Sequence, residues 1–501
     1  MRKIPATMTT QHPDNAESAY WCGKSFINTT DEIEEVYKTF KDLDAEEYMW
    51  DWEGKFVDEA VIDKLFRRYT DYFKKKPLGK EKFLTYRIPN IWEESGYRIA
   101  RAFINIVTSA DFANDFKFHT PPVFEVILPM TKEAKQIVEV EEIFSKVAKL
   151  KCEIFSKDKC IFNLINVIPL IESVEQLTNI SEFLEEYIQL HKKKYKKYPE
   201  YIRPFIARSD PALNSGIVPA VLAAKAAISQ IYEVGKKYGI GMYPIIGTGS
   251  LPFRGGVNPE NIHEVIEEYG GIRTITIQSA FKYDYPVEQV KKAIKFIQKT
   301  LPELKPHMIS KEENKDIERI NEIFSGYYKK TVEPLAAYIN KFSKYIPARR
   351  ERMLHIGLFG YSRGMGKVKL PRAITFTAIF YSLGIPPEFI GTGRGLEEAQ
   401  KKGLLPLIKK LYLNLERDLS HAGKYLNKEN LALFAKKNPL FKQIAEDIEK
   451  TEKILGIKFG PQKDKHFLHR NLTSNIYYKM KMKQDPSDDI IEAAKIRKSL
   501  G

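Results

Sequence analysis

The chain is punctuated by short apolar runs that each stop at a charged side chain, and this pattern constrains its fold more than any other feature. Asn163–Ile171 (NLINVIPLI) runs into Glu172, and Pro204–Ala207 (PFIA) into Arg208, Ser209 and Asp210. Phe83–Tyr86 leads to Arg87, Met242–Ile246 (MYPII) to the glycine-rich stretch GTGSLPFRGG with Arg254, and Ile356–Tyr361 to Arg363. A short apolar run is the signature of a strand buried on both faces. A functional group just past its end is what a parallel strand delivers to the carboxyl edge of its sheet. Carboxylates and guanidinia gathered at one edge point to a divalent metal and an anionic, phosphorylated substrate, and so to an enzyme.

Strand patterns fall at Glu47–Trp52, Phe83–Ile88, Val123–Pro129, Asn163–Ile171, Arg203–Ala207, Met242–Ile246, Arg273–Gln278 and Leu354–Phe359. Helical patterns rich in Glu, Lys and Leu lie between most of them, as at Asp58–Lys75, Lys132–Leu150, Val174–Tyr195 and Val218–Tyr238. This alternation favours an α/β fold with a TIM-like (β/α)8 barrel over an open doubly wound sheet, although pattern alone leaves both open. Extensive additional helices, mainly C-terminal, are expected. Glu312–Tyr345 is read as interrupting the last repeat, Leu396–Lys453 as following it, and Asp485–Gly501 as a further helix. A barrel with insertions reaches 501 residues as one domain, so residues 1–501 are read as a single α/β-barrel domain with helical elaborations at about 309–345 and 396–501.

A net charge of +15 and a pI near 9.2 raise nucleic-acid binding as a class. The 65 acidic residues are interleaved with the 80 basic ones, as in HEVIEEYGG and AEDIEKTEK, so a solvated surface able to steer small anions is the better account. Neither nucleic acid nor membrane is an expected partner. The amino terminus is too polar for a signal peptide, and the longest apolar stretch, Ile217–Ala224 extended past Lys225, reads as too short to span a bilayer. The three cysteines, Cys22, Cys152 and Cys160, show neither CxxC nor zinc spacing. No thiolate metal site or disulfide framework is therefore expected, and a reducing cytoplasm fits.

Glu172 and Asp210 end successive strands and can share one Mg2+ or Mn2+; alternatively each caps the helix that follows, Asp210 standing just before Pro211. Gly247–Gly256 has the glycine content of an anion-cradling loop, with Arg254 inside it. It is not a Walker A motif. GYSRGMGK, which carries Arg363, also fails that test because Val368 follows the lysine, and GTGRG at Gly391–Gly395 falls short of a dinucleotide fingerprint. His12 lies in the polar stretch TTQHPDNA, where Pro13 restrains the backbone and Asp14 and Asn15 are candidate partners for its ring. In the cluster Trp50, Asp51, Trp52 and Glu53, the tryptophans read as core.

Taken in order, these motifs resemble phosphoenolpyruvate carboxylase in its short archaeal-type form. TQHPDNA resembles that form's amino-terminal signature and the TAHPTE motif of the long enzymes, whose histidine is catalytic; the match falls on His12. VIPLIES resembles VPLFET and ARSDPALNSG resembles YSDSAKDAG, the segments that supply the metal carboxylates, which fall on Glu172 and Asp210. GTGSLPFRGG resembles GRGGSIGRGG, so its second arginine corresponds to Arg254, beside Gly255 and Gly256. LPRAI places a family arginine at Arg372, YRIPNIWEES places one at Arg87, and AAKIRKSLG is similar to the AAGMRNTG ending of the long enzymes. Two family charges are missing here: Thr248 replaces an arginine of the glycine loop, and Leu213 replaces the SDSAK lysine. Arg208 or the cluster Arg349–Arg352 is the candidate replacement.

The resemblance implies an α/β barrel with many extra helices, assembled as a homotetramer. It implies carboxylation of phosphoenolpyruvate by bicarbonate, through carboxyphosphate and pyruvate enolate, to oxaloacetate and phosphate. The metal on Glu172 and Asp210 stabilises the enolate oxygen, while Arg87, Arg208, Arg254, Arg363 and Arg372 meet the anions and His12 handles the proton. The alternatives are another phosphoenolpyruvate/pyruvate-barrel enzyme, either phosphotransferase or lyase, and a basic RNA-binding protein.

Overall fold

Backbone pairing turns the alternating pattern into a closed ring of eight strands. The computed structural model describes residues 2–53, 57–93, 96–155, 162–351 and 368–501. The barrel strands are β1 (Thr7–Thr9), β2 (Glu47–Asp51), β3 (Phe83–Arg87), β4 (Glu125–Leu128), β5 (Asn166–Ile171), β6 (Phe205–Ala207), β7 (Ile245–Gly247) and β8 (Thr274–Ile277). They follow one another around the ring in chain order, every neighbour pair is parallel, and β8 returns to β1 through Thr7↔Ile275 and Thr9↔Ile277. All eight strands therefore end at the same mouth, which is where a (β/α)8 barrel carries its functional groups.

Alternation along each strand sends every second side chain inward. Met8, Met49, Ile127, Ile168, Leu170, Phe205, Ala207 and Ile245 form a separate buried cluster of such residues. This plug makes the barrel a packed core rather than a pore. Nearer the strand starts, the fully buried Arg203 donates from Nη2 to Glu47 Oε2 at 2.7 Å and from Nη1 to Glu125 Oε2 at 2.6 Å, with Thr274 Oγ1 3.1 Å from Nη2. Burial alone would raise the Glu125 carboxyl, but Arg203 and Arg2 outweigh it and hold it below its ordinary range.

The outer layer is helical. Tyr97–Asp115, Ala134–Phe155, Ile180–Tyr195 and Ile217–Tyr238 flank the strands. The last of these is long and apolar enough to cross a bilayer, more than its apolar stretch suggested, but 83% of its apolar window is buried. It packs against Ile180–Tyr195 on one side and the long helix Lys311–Ser343 on another, which accounts for its composition. Lys311–Ser343 begins with a reciprocal capping box between Ser310 and Glu313. After it, the C-terminal helices run from Ala373–Ser382 to Ser487–Arg497. Thr392–Lys401 crosses Pro439–Leu455 so closely that a Cβ on Gly393 would lie 1.9 Å from Asp447 O.

Three expectations need correction. Leu354–Phe359 lies outside the described residues, and the ring closes instead through Thr7–Thr9. That strand reads TMT, too short and too polar to register as an apolar run. Lys311–Ser343 does not interrupt the last repeat, because the barrel is complete by Ile277 and the helix follows it. Cys152 is disulfide-bonded and Cys22 is a free thiol, since spacing in sequence does not say which sulfurs meet in space. Trp50 and Trp52 are core residues, as read.

Replacing Arg203 by leucine leaves Glu47 and Glu125 buried without their guanidinium. The variant should lose about 3–5 kcal/mol, measured by denaturant unfolding at neutral pH. Because the Glu125 pKa is depressed in the fold, this stabilisation is present above the carboxylate's ordinary pKa and fades as pH falls through the folded value. The gap between wild type and variant should therefore narrow on acidification.

Candidate active site

At the strand-end mouth, side chains from most of the barrel strands converge on one cavity. Its wall includes His12 after β1, Glu53 after β2, Arg87 ending β3, Glu172 after β5, and Arg208, Ser209 and Asp210 after β6. Arg254 comes from the loop after β7, Gln278 follows β8, and Arg372, Ala373 and Ile374 come from the start of the helix Ala373–Ser382. Met49, Leu170, Phe205 and Ala207 of the barrel plug form its floor. The space open to water-sized groups is about 100 Å³, below the ~300–1,000 Å³ of drug-sized sites, which suits a small ligand rather than a nucleotide.

The two carboxylates sit on neighbouring strands, with Ile171 opposite Ile206. Neither serves as a helix cap. Ser173 Oγ accepts from Gln176 N and caps Val174–Thr178, while Arg208 occupies the cap position of Ser209–Ser215 and leaves Asp210 in the first turn. Glu172 Oε2 accepts from Met130 N at 2.7 Å, which ties it to the end of β4. Both carboxylates are partly exposed toward the cavity. As hard oxygen donors they fit Mg2+ or Mn2+, cations that retain water and take substrate oxygens. Among the described residues no group of three or more His, Cys, Asp or Glu that could hold a metal ion is found.

The arginines are held in different ways. Arg87 is clamped by Asp51, from Nε to Oδ1 at 2.9 Å and from Nη2 to Oδ2 at 2.5 Å, with Glu53 Oε2 3.1 Å from Nε. Burial disfavours its charge, but Asp51 and Glu53 more than compensate, so its pKa rises. Arg208 donates from Nε to Tyr269 OH at 2.8 Å, and its buried Nη1 has no hydrogen-bond partner among the described residues. That leaves a guanidinium N–H in the wall for an anion.

Arg254 is pinned at three points. Nη1 donates to Asp14 Oδ2 at 3.1 Å and to Gly501 O at 2.6 Å, and Nη2 donates to Gln278 Oε1. Burial pushes the guanidinium down against the pull of Asp14 and Asp210. The loop's glycines make this possible. A Cβ on Gly249 would lie 2.6 Å from Arg254 Cζ, and Gly255 turns the chain at φ +113° where a Cβ would strike Thr248. Gly255 and Gly256 shape the loop from outside the cavity wall.

His12 lines the cavity with Nδ1 2.9 Å from Thr10 Oγ1. Asp14 and Asn15, expected to orient the ring, are committed elsewhere. Asp14 accepts from Ala280 N and Arg254, and Asn15 Nδ2 donates to Glu17 O. Of the candidates to replace the charge missing at Thr248, Arg208 is the one in the wall. Arg350 is tied to Glu32 and Glu35, Arg349 Nη2 donates to Ala16 O, and Arg352 lies outside the described residues. Arg372 stands at the start of its helix, whose positive end adds to the anion field. Arg363 also lies outside the described residues.

Gln278 and Thr276 are wall residues that the sequence reading did not single out, Ser209 was placed at its strand end without a role, and Asp14 and Gly501 are supports of Arg254 it did not find. Gln278 obeys the same strand-end rule as the charged residues, so position after ITI was the available signal.

By fold and site, the chain is a (β/α)8-barrel protein whose mouth is lined by a carboxylate pair and four arginines. The family model for phosphoenolpyruvate carboxylase matches residues 4–501, and the chain belongs to that family. It is 39% identical over 477 residues to phosphoenolpyruvate carboxylase of Leuconostoc mesenteroides, covering 95% of this chain and 94% of that protein. Against phosphoenolpyruvate carboxylase of Metallosphaera sedula it is 41% identical over 521 residues, covering all of both chains. The enzyme of that name from Caldivirga maquilingensis is 38% identical, again over the full length of each.

Lysine at position 254 would keep a charge but not a planar fork able to satisfy three acceptors. Arg254→Lys should lose about 1–3 kcal/mol of stability in denaturant unfolding, the scale of leaving buried partners unpaired. Its kcat/KM should fall by about 2–4 kcal/mol in transition-state terms, the scale of removing one preorganised donor. A change under threefold in kcat/KM would limit Arg254 to anchoring its loop.

Proposed function

We propose that the chain carboxylates phosphoenolpyruvate with bicarbonate, giving oxaloacetate and inorganic phosphate, as an anaplerotic carboxy-lyase. The observation that carries this reading is the meeting of His12, Arg87, Glu172, Asp210, Arg254 and Arg372 in one small cavity within a chain of this family. A bicarbonate oxygen attacks the phosphoryl group, and the bond from phosphorus to the enol oxygen breaks, giving carboxyphosphate and pyruvate enolate. Carboxyphosphate then releases CO2 and phosphate, and the enolate carbon attacks CO2 to form the new carbon–carbon bond.

The chain's residues supply the electrostatics of both steps. Arg254, Arg208 and Arg372 offer charge to the phosphoryl group and bicarbonate, and Arg363 joins them on the resemblance. Arg87, already neutralised by Asp51 and Glu53, meets substrate as an oriented donor rather than a net charge. Glu172 and Asp210 would hold Mg2+ or Mn2+, which would supply Lewis-acid stabilisation where negative charge develops. His12 takes the proton that must leave as carboxyphosphate breaks down. The apolar floor of Met49, Leu170, Phe205 and Ala207 limits water near the enolate, which would otherwise protonate to pyruvate. The family's homotetrameric assembly and a cytoplasmic setting belong to the same proposal.

Oxaloacetate formation that depends on bicarbonate and releases phosphate tests the reading directly; a wild-type protein that makes none overturns it. Glu172→Gln and Asp210→Asn should each remove most activity while leaving the melting temperature within a few degrees. Each should also weaken the thermal stabilisation given by Mn2+. Wild-type turnover in both variants at saturating Mg2+ would remove the metal assignment. His12→Asn should uncouple the steps, cleaving phosphoenolpyruvate to pyruvate and phosphate in the presence of bicarbonate with little oxaloacetate. If cleavage falls in proportion to oxaloacetate, His12 acts in the first step or in binding.

A further inference from the structure

Glu388 is outside the cavity wall and belongs to none of the motifs, yet it is fully buried in the short turn Pro387–Phe389. Its Oε1 accepts from Phe253 N at 2.9 Å and from Tyr381 OH at 2.7 Å. Phe253 is the residue immediately before Arg254 in the turn Pro252–Arg254, and Tyr381 lies in the helix Ala373–Ser382, whose first residues line the cavity. One carboxylate oxygen thus bolts the loop that carries Arg254 to the helix that follows Arg372.

A carboxyl in that position is costly to the fold. Burial pushes its pKa up to about 7, no lysine or arginine pairs with it among the described residues, and Asp418 nearby adds to the rise. Its second oxygen, Oε2, has no partner among the described residues. An apolar side chain would avoid that cost but would leave the Phe253 N–H and the Tyr381 hydroxyl without this acceptor, so the reason for an acceptor here lies with the groups it holds. The Phe253 ring is already fixed by packing against Phe376 and Tyr328, with centroids 5.7 Å and 6.5 Å away. What Glu388 adds is a fixed direction for the Phe253 N–H, and with it the starting point of the Arg254 side chain. That side chain has to meet Asp14, Gln278 and Gly501 at once, a demand that a small backbone rotation defeats.

We infer that Glu388 is a positioning residue for Arg254, acting through the Phe253 peptide. The inference rests on the carboxylase reading of Arg254. Glu388→Ala should lower kcat/KM for phosphoenolpyruvate and bicarbonate by about 10–100-fold, the scale of a misplacement near 1 Å, with little change in metal-induced thermal stabilisation. Glu388→Gln keeps an oxygen for both donors and should stay within threefold of wild type. In an Arg254→Lys background, Glu388→Ala should cost less than threefold more, because the group it positions is already gone. If Glu388→Ala does not fold, Glu388→Asp, which withdraws the oxygen but keeps the carboxyl, should show the same loss and the same dependence on Arg254. A wild-type kcat/KM in the Ala or Asp variant, or an equal loss in the Arg254→Lys background, overturns the inference. Wild-type turnover tests the carboxylase reading, and the ratios among variants test Glu388, so the two can fail separately.

Discussion

The site depends on the pairing of a three-residue strand, Thr7–Thr9, with both Thr274–Ile277 and Glu47–Asp51. A parallel sheet left open at that seam would have two unpaired edges and no fixed distance between its first and last strands. Closure sets that distance and brings His12, just past β1, beside Gln278, just past β8. It also lets the Asp14 carboxyl accept from Ala280 N on one side and from Arg254 on the other. Asp284 repeats the arrangement by accepting from Ala16 N and Glu17 N. The loop that carries the histidine is thereby strapped to the helix Ser279–Tyr283.

The charges at the mouth are of two kinds. Arg87 and Arg254 are surrounded by acceptors before any ligand arrives, so they present oriented donors at little reorganisation cost. Arg208 is held through Nε by Tyr269 OH, and its Nη1, like Arg254 Nε, has no partner among the described residues.

Much of this was legible in the sequence because the governing rule is local. An apolar run that stops at a charge marks the end of a barrel strand, and Arg87, Glu172, Arg208 and Asp210 all obey it. Thr7–Thr9 escaped because its length and threonines carry no such signal, and Gln278 escaped because it is uncharged. The links from Arg254 to Asp14 and Gly501 span 240 and 247 residues and leave no trace in either segment. Glu388, in PPEF, resembles a surface acid in a turn, and only the packed structure shows what surrounds it. The collinear motifs read as carboxylase signatures supplied what periodicity could not, since they tied distant segments to one chemistry.

The contact between Arg254 and Gly501 also orders events during synthesis. Chains fold from the amino terminus as they emerge, and contacts between distant residues wait for the later partner. β1 has no place in a ring until β8 has been made, and the barrel therefore closes only after more than half of the chain exists. Arg254 waits longer still, for Gly501 to supply its carbonyl. A growing chain carries the carboxylate pair and the glycine loop well before it has the final setting of its key guanidinium. The setting of Arg254 is thus completed only once Gly501 has been made, and a product cut short before that residue still lacks this hydrogen bond even if its barrel folds.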